Sequence, residues 1–398
     1  MRRSKIQFKN KEGNQLTAYL DMPPNGKADH FAIFAHCFTC TKNLKAVRHI
    51  VLALTQHGFG VLSFDFTGLG ESEGDFSDTN FSSNVDDLIA AHEYLEEEYS
   101  KAELLIGHSL GGAAVLAAGL DLEVAAIATI GAPADPDHVL HLVKRKEDIR
   151  EKGQAEVNIG GRPFLIKQQF LDDLENASIR PRLNDYNGAL LVMHAPGDNT
   201  VGIENARLIF DSATHPKSFV SLNKADHLLS NQEDAIYAGK MIAEWSFNYL
   251  PKATNTNPET DKQAVARNYS NFITEVFTGK HQFIADEPEK EGGQDLGPSP
   301  YDLLASALAT CTAMTLRMYI DRKKWNVDEI LVHVEHNKEH SDDSNPDSEA
   351  GMIDILERKI EVFGNLDDDQ KRKLLEIANK CPVHRTLLSE MTIRSKIF

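Results

Sequence analysis

Short, nearly continuous apolar runs separated by longer amphipathic stretches set the rhythm of residues 1–250. After an opening hairpin pattern over 6–21 come FAIFAH (31–36), GVLSFD (60–65), ELLIG (103–107), VAAIATI (124–130), ALLVMH (189–194) and SFVSLN (218–223). Runs of this kind fit strands covered on both faces, as in a mostly parallel sheet. Helical periods fall between them at 42–58, 83–99 and 110–119, and a closing one places Ala238, Met241, Ile242, Trp245 and Tyr249 on one face. The alternation predicts an α/β domain with helices on both sides of the sheet. The connection 132–184 is too long for a simple crossover and holds helical stretches and a hairpin-like VNIGGRPFLI. Such an insertion reads as a cap over the strand ends, where α/β folds bind ligands.

The pattern then breaks. Residues 251–263 lie in a polar Pro/Thr/Asn-rich stretch without period, which reads as a linker. From 264 the order changes: two strands about a turn at Thr278-Gly279, a long helix from Pro300 to Lys324, and strands at 329–338 and 351–364. A helix at 367–379, a Cys-Pro segment and a last strand, MTIRSKI, complete 264–398. Strands and helices out of alternation predict an α+β domain. On the long helix Leu304, Leu308, Cys311 and Met318 fall on one face, which points Cys311 inward. Pro382 presets a helical first turn and leaves Cys381 at the cap, where free amides and the helix dipole favour a thiolate.

Composition narrows the function classes. The chain has 398 residues and a formal net charge of −18, so phosphate backbones and anionic lipid surfaces are disfavoured partners. The basic start MRRSKIQFKNKEG leads into no apolar stretch, and no uninterrupted apolar run reaches bilayer length. These features predict a soluble cytoplasmic protein that binds neither nucleic acid nor membrane. In that compartment Cys37, Cys40, Cys311 and Cys381 are expected to be reduced. Cys37 and Cys40 form a Cys-x-x-Cys, but no second Cys/His pair has zinc-site spacing, so no metal or cofactor is expected.

GHSLGG contains Gly107-x-Ser109-x-Gly111 between a β-run and a helical run. A serine there sits on a sharp turn that the glycines make room for. It needs a base and an orienting acid. Asp198, in MHAPGDNTV, and His227, in NKADHLL, lie in loops after successive strands, in the chain order Ser, Asp, His. His194 ends its own strand, His108 lies inside the elbow, and Asp226 is too close to His227 in sequence to reach its ring. The amide of Leu110 would supply one oxyanion donor.

With these residues the first domain resembles a serine α/β hydrolase throughout its length. FDFTGLGESEG (64–74) is similar to that family's Asp-x-x-Gly-x-Gly-x-Ser loop, and FAHCFTCTKN to its oxyanion loop. The resemblance implies an acyl-ester substrate and the Phe38 amide as second oxyanion donor. Cys37 stands where the family has glycine. A carboxylate nucleophile, as in dehalogenases and epoxide hydrolases, is excluded by Ser109. Esterase, thioesterase and amidase chemistry stay open, as does a lapsed enzyme serving as a scaffold.

Residues 264–398, through Gly297-Pro298-Ser299-Pro300, the Cys311 helix and Cys381-Pro382-Val383, resemble the OsmC/Ohr family of thiol-dependent organic hydroperoxide reductases. That resemblance implies an intertwined homodimer, with Cys311 attacking the peroxide, Cys381 resolving it, and a thiol reductant restoring both. It also implies an arginine from the first strand region, for which Arg267 is the nearest match. Tyr301 stands where the family has glutamate. A non-catalytic dimerisation or binding domain is the alternative.

Overall fold

A computed structural model describes residues 2–37, 41–143, 146–159, 162–252, 258–340 and 352–397. The chain divides into two compact units, Met1–Glu259 and Thr260–Phe398.

In the first unit the strands are β1 (Arg2–Lys9), β2 (Gln15–Met22), β3 (His30–Ala35), β4 (Phe59–Phe64), β5 (Ala102–His108), β6 (Ala126–Ile130), β7 (Gln154–Ile159), β8 (Arg162–Lys167), β9 (Ala189–His194) and β10 (Lys217–Ser221). The helices are α1 (Lys45–Gln56), α2 (Phe81–Glu98), α3 (Leu110–Gly119), α4 (Lys146–Lys152), α5 (Gln168–Asn176), α6 (Glu204–Ser212) and α7 (Gln232–Ser246). Eight strands form one sheet in the order β1-β2-β4-β3-β5-β6-β9-β10. Only the β1–β2 and β2–β4 pairings are antiparallel; the other pairings are parallel.

The double coverage expected of the apolar runs is visible in β3, where Phe31, Ile33 and Ala35 join one core while Ala32 and Phe34 join the other. Helices α2 and α3 close the first core; α1 and α7 close the second. Helix α6, which the periodicity did not single out, adds Ala206 and Ile209 to the first. The insertion between β6 and β9 carries α4, the antiparallel β7–β8 hairpin and α5, and it buries Ile149, Val157, Phe170 and Leu174 in that core.

The second unit adds β11 (Val265–Ser270), β12 (Ile273–Thr278), β13 (His281–Ala285), β14 (Val327–His340), β15 (Met352–Gly364), α8 (Pro300–Lys323), α9 (Asp368–Ala378) and α10 (Pro382–Leu387). Strands β11–β13 form an antiparallel meander and β14–β15 a long hairpin. The predicted two-strand start is three strands, because Asn271 at φ 53° makes a second turn between β11 and β12. The predicted last strand is not one: residues 390–397 have no sheet partner among the described residues.

Helix α8 starts at a capping box, with Ser299 and Asp302 bonding each other's backbone amides and Pro300 in the first turn. Its buried residues are Leu308, Thr312, Leu316 and Ile320. The expected face is therefore corrected: Met318 is 74% exposed and Cys311 is half-buried. By length and composition alone α8 is apolar enough to cross a membrane, with a mean hydropathy of 1.4, a test that the core helix of a soluble protein also passes. Its Ser, Thr and Tyr residues interrupt the run without lowering that mean far.

Candidate functional site

The serine site is assembled at the C-terminal ends of the parallel strands. Strand β5 ends at His108, α3 begins at Leu110, and Ser109 joins them at φ 56°, ψ −127°. A non-glycine residue there stores about 1–3 kcal/mol of backbone strain. Its amide donates to Ile130 O at 2.9 Å, which fixes the elbow to the end of β6. The two motif glycines are required by close approach: a Cβ on Gly107 would lie 2.3 Å from Gly111 O, and one on Gly111 would lie 2.4 Å from His36 O. Helix α3 can start this near the β3 loop only without those side chains.

Ser109, His227 and Asp198 are brought together in line. The Ser109 hydroxyl donates to His227 Nε2 at 3.0 Å, and His227 Nδ1 donates to Asp198 Oδ2 at 2.7 Å. The other Asp198 oxygen accepts the amides of Thr200 and Val201 at 2.8 and 2.9 Å. Burial raises the Asp198 pKa, but the hydrogen bonds from His227 and these amides outweigh it and hold the carboxyl below its ordinary value. Leu110 opens α3 beside Ser109, so its amide is one of those a helix start leaves without an intrahelical partner. Phe38 and Cys40 lie outside the described residues.

Three features were not read from the sequence. His108, one residue before the nucleophile position, is buried; its Nε2 donates to His227 O at 2.6 Å and its ring lies 5.1 Å from that of His227. Burial and the neighbouring His227 lower its pKa to about 4, so it stays neutral. The loop from β3 is tied down by buried Lys42, whose amide and Nζ both bond Asp65, at 2.8 and 2.5 Å, and whose Nζ also meets Glu71 at 2.8 Å. Cys37 is disulfide-bonded, contrary to the expectation of reduced cysteines. The insertion comes beside Asp198, where Asp137, His138 and Leu140 wall a cleft of about 630 Å³ that Ser109 and His227 do not line.

In the second unit Cys381 caps α10, as expected, and it meets Cys311 of α8. Burial raises the Cys381 pKa, yet hydrogen bonds from the Cys311 thiol, the His384 amide, the Thr312 hydroxyl and the Val383 amide bring it below the ordinary thiol value. Burial and the bond to Cys381 raise Cys311. Arg267 is paired with Glu275 across β11–β12 at 2.7 Å; the guanidinium whose charge acts on Cys381 is that of Arg358 on β15. Nothing in local spacing marks Arg358, because the β14–β15 hairpin alone delivers it there. Among the described residues no group of three or more His, Cys, Asp or Glu could hold a metal.

The strand order, the elbow and the serine, histidine and aspartate in line place the first unit in the α/β-hydrolase class. Residues 33–146 match the family described as serine aminopeptidase, S33, and residues 292–396 match the OsmC-like proteins. The chain thus belongs to the α/β hydrolases through its first unit, and in its second it is similar to the OsmC-like proteins over residues 292–396. The esterase domain of a Rhodothermus marinus protein is 49% identical to it with a TM-score of 0.54, covering 63% of this chain and 99% of that domain. The ferulic acid complex of Est1E from Butyrivibrio proteoclasticus is 18% identical with a TM-score of 0.52, covering 61% of this chain and 98% of Est1E, and shows the fold alone. Among curated proteins, the uncharacterized protein YfhR of Escherichia coli O157:H7 is 22% identical over 253 residues, which are 63% of this chain and 81% of YfhR.

Proposed function

We propose that the first unit is a serine esterase in which Ser109 attacks an acyl carbonyl. The observation that carries this reading is the Ser109–His227–Asp198 hydrogen-bond chain. His227 takes the serine proton through Nε2 and returns it to the leaving alcohol. Asp198, ionised by its hydrogen bonds, holds the Nδ1–H tautomer and stabilises the imidazolium. The Leu110 amide receives the tetrahedral oxyanion, with the β3 loop, including Phe38, supplying the second donor. The esterase domain of the Rhodothermus marinus protein supports ester over thioester or amide as the substrate. A fluorophosphonate probe tests the assignment: wild type labels on Ser109 and Ser109→Ala does not. An unlabelled wild type leaves a lapsed enzyme as the reading. Asp198→Asn should lower kcat by ~10⁴.

For the second unit we propose reduction of organic hydroperoxides by the Cys311–Cys381 pair. The support is that Cys311 of α8 and Cys381 at the start of α10 are neighbours, close enough to shift each other's ionisation in opposite directions. Hydroperoxide added to the reduced chain should then convert both into one intramolecular disulfide. We further propose that this unit pairs with a second copy, which would cover the exposed side of α8 in a soluble, cytoplasmic homodimer.

A further inference from the structure

A buried histidine stands at or just past the end of each of three parallel strands: His36 after β3, His108 closing β5 and His194 closing β9, none more than 4% exposed. Each gives a ring N–H to a backbone carbonyl in a different loop of the serine site. His36 Nδ1 donates to Cys37 O at 2.9 Å, in the loop after β3. His108 Nε2 donates to His227 O at 2.6 Å, in the loop that carries the base. His194 Nε2 donates to Val201 O at 2.8 Å, in the loop that carries the acid. A carbonyl only accepts, so each contact fixes which nitrogen bears the hydrogen. Val201 is gripped twice, since its own amide bonds Asp198 Oδ1 at 2.9 Å. The same His194 nitrogen lies 3.7 Å from Asp198 Oδ2, the oxygen that receives His227 Nδ1–H. Packing alone does not explain these rings. His36 Nε2 and His194 Nδ1 have no protein hydrogen-bond partner among the described residues, and a half-used polar ring is a poorer core filler than leucine or phenylalanine.

We infer that His36, His108 and His194 are positioning residues of the serine site, each holding one working loop by a single ring N–H: the oxyanion loop, the base loop and the acid loop. What those loops do rests on the serine-esterase reading; the contacts do not. As Ser109 attacks, His227 gains the serine proton and becomes an imidazolium. A lysine or arginine donor in these places would set a second cation against it, whereas an imidazole fixes the carbonyl with a donor that carries no permanent charge. The ring is also stiff, with two torsions between backbone and donor. That suits a geometry in which a displacement of ~1 Å costs about 10²-fold in rate. The three histidines differ in which nitrogen works. Counted from Cβ, an asparagine nitrogen sits as far along as His Nδ1, and a glutamine nitrogen as far as His Nε2. Asparagine should therefore stand in for His36, and glutamine for His108 and His194.

Two readouts on the full-length chain test this: hydrolysis of p-nitrophenyl butyrate, and the downfield proton resonance of His227 Nδ1–H bound to Asp198, which needs no turnover. His36→Leu and His194→Leu should each lower kcat about tenfold, with KM within about twofold of wild type. His36→Asn and His194→Gln should recover most of kcat, and the exchanged amides, His36→Gln and His194→Asn, should not. The resonance should shift and exchange faster with water in His194→Leu and His108→Leu, and return in His194→Gln and His108→Gln. Wild-type kcat in both leucine variants overturns the inference. So does equal rescue by the two amides at either position while near-ultraviolet circular dichroism shows native packing, and so does a resonance that neither His194→Leu nor His108→Leu moves. Where a leucine variant fails to fold, the asparagine and glutamine pair at that position decides alone. If the resonance behaves as expected while wild type neither hydrolyses ester nor labels with a fluorophosphonate, the positioning assignment stands and the esterase reading fails.

Discussion

His108 acts on the serine site without touching the reacting atoms. Its Nε2 holds the carbonyl of His227, so it fixes the loop that aims the base at Ser109. His108→Leu keeps the volume roughly and removes one hydrogen bond, a loss of about 1–1.5 kcal/mol in positioning. The expected outcome is a kcat about five- to tenfold lower on a p-nitrophenyl ester, with KM nearly unchanged; a drop in KM-limited binding alone would count against it. The same residue ties stability to pH. Its folded pKa of about 4 lies below the unfolded 6.5, so the unfolded chain binds more protons between those values. Stability therefore rises with pH through that window and is lost as pH falls from about 6.5 to about 4. Denaturation of His108→Leu should show a weaker acid loss over that range.

The loop that follows β3 depends on Lys42. Buried among Asp65, Glu71 and the Tyr19 ring, it joins the oxyanion loop to the turn after β4. Lys42→Met leaves buried Asp65 without its cation, and we expect a loss of about 3 kcal/mol in urea denaturation. Trp245 fluorescence in a Trp325→Phe background would report this unit alone. Hydrogen bonds from Lys42 and Lys5 lower Glu71 to about 2, below its ordinary 4.5. Its contribution is thus present above about 4.5 and fades as pH falls through about 2, and Lys42→Met should flatten that dependence. None of this was legible in the pattern. The parallel strands were, because both-face burial leaves unbroken apolar runs that need no knowledge of partners. The Ser, Asp and His positions were legible because each follows such a run. Lys42, Arg358 and the turn at Asn271 were not: a buried cation is recognised by its acceptors and a left-handed asparagine by its backbone, and neither leaves a periodic trace. The last strand was over-read because alternation alone cannot say whether a partner strand is within reach.

The two units differ in how well each encloses its own core. The first buries large apolar clusters on both sides of its sheet. The second gathers only Leu316, Ile320, Val327, Leu374 and Ala378 in its main cluster, and it exposes Met314, Met318, Met391 and Ile393. A second copy laid over α8 would cover that surface. Residues 264–398 are accordingly expected to be dimeric in light scattering and residues 1–250 monomeric. Met318→Glu with Ile393→Glu should give a monomeric full-length chain. The reverse distribution would exclude this assembly. Among the described residues, 390–397 pair with no strand, and in the proposed dimer mass action enters the melting curve. A tenfold dilution takes about 1.4 kcal/mol from a dimer's association and nothing from a domain that folds alone. Of two thermal transitions, the one belonging to the thiol unit should slide to lower temperature on dilution while that of the hydrolase stays where it is. The cellular abundance of the chain would then set how much of its thiol chemistry is folded, and leave its ester chemistry untouched.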